Sequence, residues 1–162
     1  MAAFAVLGIG NDLLQDDGAG IHAIRQFEAV NQHVDVTAID GGTIGLALMS
    51  ELEGHQGIIV IDAMRLGTPP GTVTIHEGAD MDHCLRNHSG SAHEVSISDL
   101  MDALRLSDAL PPRRALIGIE PACIEWGTEP TPKIAGSIDA AVVAIQALLE
   151  RWRQEISKED AA

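Results

Sequence analysis

Gly57-Ile58-Ile59-Val60-Ile61-Asp62-Ala63 is a short apolar run that ends on a carboxylate. Its Ile and Val content predicts a strand over Ile58–Ile61, and the charge of Asp62 that follows needs a partner or a metal. Four further segments read the same way: Phe4–Gly8, Val34–Ile39, Thr72–His76 and Ala115–Ile119. Between them, Gly20–Ala29 and Ile44–Leu52 carry apolar residues three and four apart and predict helices. Ser98–Leu106 predicts a shorter helix capped by Ser96 or Ser98. Val142, Ile145, Leu148, Leu149 and Trp152 form the apolar stripe of a long last helix over Ile138–Ile156, expected to pack across the sheet. Strands alternating with helices make this an α/β chain. One domain over residues 1–156 is expected, with residues 157–162 as a polar C-terminal tail. Pro69-Pro70-Gly71 marks a turn, and Pro111-Pro112 and Pro130–Pro132 mark loops.

The chain has 162 residues, 10 Lys and Arg against 24 Asp and Glu, and a formal net charge of −14. That acidity disfavours any surface that neutralises phosphates, so neither nucleic acid nor an anionic membrane is expected as a partner. Two cysteines, Cys84 and Cys123, give neither a disulfide scaffold nor a CxxC pair. The opening MAAFAVLGIGNDLL lacks a basic flank and reads as a strand, not a signal peptide. No apolar run approaches the roughly 18 residues of a membrane span. The expected compartment is the cytoplasm.

In open α/β sheets, sites form beyond the carboxyl ends of the parallel strands. Three consecutive strands deliver acids to that edge: Asp16 and Asp17 follow the first, Asp40 ends the second, and Asp62 ends the third. Gly8-x-Gly10 suggests a dinucleotide turn, but Leu13 stands where the third glycine belongs, and Asp16 and Asp17 oppose a pyrophosphate. A glycine-permitted tight turn explains the pair. A phospho-acceptor receiver domain needs a Lys after the last strand, where this chain has Gly118-Ile119-Glu120-Pro121. HExxH fails at both His76 and His93, and a zinc site from His83, Cys84 and His88 competes with plain solvent exposure in a polar loop. Neither cysteine has an evident activating arrangement, and no GxSxG elbow is present. His93 leads into the Ser98 helix, which can hold its imidazole rigidly.

As a set, these pieces resemble the nickel-iron hydrogenase maturation endopeptidases. The matching residues are Gly8–Asn11, Asp16-Asp17 with Gly18 and Gly20, Asp40-Gly41-Gly42-Thr43, Ile61-Asp62-Ala63 and Ser91-Ala92-His93, in family order. Leu116–Pro121 and the last helix fit as well. The resemblance implies a three-layer sandwich: a mostly parallel, five-stranded twisted sheet with helices on both faces. It implies an enzyme that trims the C-terminal extension from a hydrogenase large-subunit precursor after nickel insertion. Family metal-contacting and catalytic positions carry over to Asp17, Asp62 and His93. Some relatives have Glu at the position of Asp17, which leaves open which of Asp16 and Asp17 reaches the metal. Asp40, Gly41, Gly42 and Thr43, with Asp16, carry over as substrate-positioning. The nickel is brought by the precursor, and other divalent ions can occupy the site. Two carboxylates and an imidazole form an incomplete shell, with positions left for ligands such as precursor thiolates. A non-catalytic α/β module that binds a nucleotide or a partner is the alternative.

Overall fold

A computed structural model describes residues 2–43, 45–88 and 92–162. Five strands are formed: β1 (Phe4–Ile9), β2 (Val36–Gly42), β3 (Gly57–Ala63), β4 (Val73–Glu77) and β5 (Arg113–Ile119). The helices are α1 (Ala19–Val30), α2 (Met49–Leu52), α3 (Ala79–Asn87), α4 (Ala92–Leu106) and α5 (Pro132–Asp160). Single 3-10 turns precede α1 and α2, at Gln15–Gly18 and Gly45–Leu48. The sheet order is β2-β1-β3-β5-β4. All pairs are parallel except β4 with β5, which is antiparallel. This is the mostly parallel α/β sheet expected.

Alternate residues of each central strand feed two separate cores. On one face Phe4, Val6, Ile59, Ile61, Ala115 and Ile117 pack beneath α1 and α5. On the other, Ala5, Leu7, Ile58, Val60 and Leu116 pack beneath α3 and α4. Every residue of β3 is buried, as a strand covered on both sides requires. Because β3 has no solvent face, its apolar run is continuous, and Asp62 is carried into the interior with it.

The sequence misplaces several element ends. Strand β2 starts at Val36, not Val34, and runs to Gly42 through a bulge that leaves Gly41 unpaired opposite β1. Helix α4 begins at Ala92, six residues before the expected start, so Ser96 and Ser98 are interior and cap nothing. Its first turn is polar because it faces the site described below, which concealed it. Helix α3 occupies a stretch whose polar residues predict a loop. Its signal is only the short stripe Met81, Cys84 and Leu85. Ile44, expected to open the second helix, lies outside the described residues, as does Ser91. Helix α5 starts on Pro132, well suited to a first helical turn, and continues through Asp160, so residues 157–160 form its last turn rather than a tail. At 29 residues, with a mean hydropathy of 1.4 in its most apolar window, it meets the length and composition of a membrane span, which the sequence reading did not find. Its apolar stripe, including Ile138, Val142, Ile145, Leu149 and Trp152, packs on the sheet.

Strand β1 has β2 on one side and β3 on the other, so the chain reverses its winding direction at β1. The crevice of the fold therefore opens between the ends of β1 and β3. Helix α1 crosses there at its closest approach. A Cβ on Gly20 would lie 2.3 Å from the carbonyl oxygens of both Ile9 and Ile61. Gly10 adopts φ +146°, and a Cβ there would meet the Asp17 carbonyl. The glycines thus allow the helix to seat against two strand ends, the turn-forming role expected of them.

Gly20→Ala is expected to cost about 1–3 kcal/mol or more, since backbone must move to admit the methyl. Gly136→Ala, in open space on α5, is expected to gain about 0.5–1 kcal/mol. Urea unfolding of the two variants checks this, and equal effects would contradict the close approach.

Candidate active site

Asp62 sits near the end of β3, paired in register with Gly118 of β5, and is fully buried. Asp17 belongs to the 3-10 turn that follows β1. His93 stands in the first turn of α4. The structure brings these three together. His93 Nδ1 lies 3.6 Å from Asp62 Oδ1, and His93 Nε2 lies 3.5 Å from Asp17 Oδ2. The imidazole is thus held between two carboxylates, one on each edge. Only Asp17 and His93 are reached by solvent, their side chains 14% and 12% exposed.

Both Asp62 oxygens and His93 Nδ1 lack a hydrogen-bond partner. Such groups are rare in a folded interior, because each one forfeits its bonds to water. The Asp62 carboxyl is pushed up to about 7, by burial first, with the Asp17 and Glu94 carboxylates adding and His93 opposing. The His93 imidazole is raised above its ordinary value, chiefly by its contact with Asp62 and against its own burial. The buried Asp62 carboxyl therefore holds its proton to higher pH than an exposed carboxyl does.

Two carboxylates and an imidazole are a suitable donor set for a borderline divalent ion, and the unpartnered Asp62 oxygens are free to give it electrons. As the side chains stand, however, no group of three His, Cys, Asp or Glu among the described residues encloses an ion. The reason is the ring's position: its two nitrogens address different carboxylates. Shared coordination by all three requires the imidazole to pivot so that one nitrogen faces the gap between them.

Asp16 is not at the site. Its buried carboxylate accepts hydrogen bonds from the Ala122, Cys123 and Thr131 amides at 3.0, 2.9 and 2.7 Å, and from the Thr131 hydroxyl. Its own amide donates to the Cys123 carbonyl. Saturated in this way, Asp16 cannot position substrate; it ties the turn carrying Asp17 to the loop after β5. Asp40 is exposed and ion-paired with Arg25, which also grips Asp12. Its other oxygen accepts from the Gly42 amide. Gly41 is buried against Leu7, Ile9 and Leu48, Gly42 adopts φ +51°, and Thr43 is exposed. This loop lies on the same sheet edge as the trio.

At the zinc site weighed against solvent exposure, Cys84 is buried with its Sγ 4.0 Å from His88 Nδ1, and the histidines pair within one helical turn. On α3, Asn87 donates to His83 Nε2, and just past its end His88 Nδ1 donates to the Cys84 carbonyl. Two residues of the site region escaped the sequence reading. Thr131 was seen only as part of a proline-marked loop, and Glu94, buried beside His93, only as part of a failed HExxH pattern. The adjacency of Glu94 to His93 was the one signal available.

The HycI family model, described as hydrogenase maturation protease, matches residues 21–148, a span that holds Asp62 and His93 and begins just after Asp17. The hydrogenase expression/formation protein HupD of Rhizobium leguminosarum bv. viciae is 34% identical over 149 residues, covering 91% of this chain and 74% of that one. The hydrogenase 2 maturation protease of Escherichia coli K12 is 28% identical over 148 residues, covering 89% and 88%. The solved structure of the hydrogenase maturating endopeptidase HybD from E. coli superposes with a TM-score of 0.87 at 28% identity, covering 93% of each chain. A family of hydrolases leaves no room for the non-catalytic alternative. The chain belongs to the hydrogenase maturation proteases and is an endopeptidase acting in hydrogenase maturation.

Proposed function

We propose that this protease removes the C-terminal extension of a hydrogenase large-subunit precursor, and that it recognises the nickel the precursor carries through Asp17, Asp62 and His93. The supporting observation is the buried Asp62 carboxylate, bare of hydrogen bonds and set against an equally unpartnered His93 nitrogen. A site left so incomplete favours a cationic ligand over an empty cleft. Two carboxylates and one imidazole leave coordination positions open, which thiolates of the precursor can fill. Cleavage is then coupled to loading, because the contact exists only when the client holds its metal.

Peptide hydrolysis needs one group to take a proton from water and one to give a proton to the departing amine. Asp62, whose carboxyl is pushed up to about 7, and His93, whose imidazole is raised above its ordinary value by Asp62, are the groups placed to do both. Asp17, at the solvent side, orients the imidazole from its other edge. A divalent ion held by Asp17, Asp62 and His93 would supply Lewis-acid polarisation of the scissile carbonyl.

Purified chain mixed with nickel-loaded precursor is expected to shorten it, and to leave nickel-free precursor intact, as read by mass spectrometry. Equal cutting of both would remove nickel recognition. Asp62→Ala and His93→Ala are each expected to lower processing by at least about a hundredfold while the domain stays folded. His83→Ala and His88→Ala should stay near wild type.

The site also sets a pH dependence. Asp62 titrates at about 7 in the folded chain against 3.8 ordinarily, and His93 is raised as well, so between these values the folded state holds more protons than the unfolded one. Stability of metal-free protein therefore falls as pH rises from about 4 through 7 and beyond. Asp35 and Asp82, held below the ordinary carboxylate range by Arg153 and Arg114, act below that window. Asp62→Asn is expected to flatten the decline in chelator-treated protein, measured by urea unfolding at several pH values. An unchanged slope would contradict the assignment.

A further inference from the structure

The chain has only four aromatic residues, two Phe and two Trp. Phe4, Phe27 and Trp152 are at most 2% exposed, in the core beneath α1 and α5. Trp126 is 82% exposed, on the loop after β5. Solvent exposure of so large an apolar group is unfavourable.

That loop is held firmly. Asp16 binds its Ala122, Cys123 and Thr131 amides, and Gly127 exchanges backbone hydrogen bonds with the opposite segment, donating to the Leu13 carbonyl at 2.9 Å and accepting from the Gln15 amide at 3.0 Å. Leu14 and Gly127 form a parallel bridge, which brings the backbone at Leu13 alongside that at Trp126. Leu13 is itself 52% exposed. The Asp17 amide donates to the Leu14 carbonyl, so this pair of apolar side chains belongs to the same turn that presents Asp17 to the site. A rigid, exposed aromatic with an aliphatic neighbour matches the anchors that carry most of the energy in polypeptide recognition. The charge of the two segments is predominantly acidic, with Arg25 of α1 paired to Asp12 at their edge. Residues 11–17 and 120–131 contain no Lys or Arg, and Glu125 and Glu129 are exposed on either side of Trp126.

We propose that Trp126 and Leu13 form the docking surface for the precursor polypeptide next to its scissile bond, taking an apolar side chain flanked by basic residues. This rests on the function proposed above. It assigns to the rim a binding role separate from the chemistry of the trio, so truncation weakens capture without slowing the bound complex.

The test is steady-state processing of nickel-loaded precursor, with binding followed in parallel by Trp fluorescence. Trp126→Ala and Leu13→Ala are each expected to raise KM about tenfold with kcat within about twofold and the melting temperature unchanged. Trp126→Phe should keep most of the affinity. Val34→Ala, at a 99% exposed position before β2, should change neither constant. Wild-type KM in Trp126→Ala overturns the proposal, and a KM indifferent to ionic strength overturns its basic partner. If wild-type protein binds precursor with a blue shift that Trp126→Ala abolishes, yet does not cut it, the docking surface stands and the proposed function fails. If it neither binds nor cuts, both fail.

Discussion

Asp62 is the constraint around which the site is built. Its carboxylate lies at the end of a strand with no solvent face, and neither oxygen receives a hydrogen bond. An ionised carboxylate in such a place is costly unless a proton or a positive group answers it. The fold supplies one answer, His93, at the start of a helix whose remainder is anchored by Ile97, Leu100, Met101 and Leu104 in the core. It leaves room for another, because 3.6 Å is an ion-pair contact and not a hydrogen bond.

Four aspartates at one sheet edge meet different fates, and the differences separate support from chemistry. Asp16 is as buried as Asp62 but saturated by backbone amides and a hydroxyl, so it has nothing left to offer a substrate. Asp40 is neutralised at the surface by Arg25. Asp17 and Asp62 alone keep oxygens turned toward the same imidazole. Glu120 repeats the work of Asp16 after β5, accepting from the Leu66 amide and the Thr68 hydroxyl and so holding the loop that follows Asp62. Two hydrogen-bonded carboxylates thus stiffen the loops around the unpartnered one, an arrangement suited to a site whose side chains must hold position before substrate arrives.

The strands were legible as Ile and Val runs, and the trio was named only through the family resemblance; the structure brings its three members within 3.6 Å contacts. What stayed hidden was non-local or polar. Asp16 and Asp17 are adjacent letters, and only the bonds of Asp16 to residues more than 100 positions away turn one inward and the other to the site. Helix α3 and the first turn of α4 were missed because their polar residues interrupt the apolar period on which a helix is recognised. The exposure of Trp126 was equally invisible, since an aromatic in a sequence is first assigned to the core.

Nickel soaked into crystals of the chain and located by anomalous diffraction tests most directly whether three side chains act as one site. The account predicts a single peak within coordinating distance of Asp17, Asp62 and one nitrogen of a pivoted His93. A peak at His83, Cys84 and His88, or a trio left untouched beside an ion bound elsewhere, would contradict it.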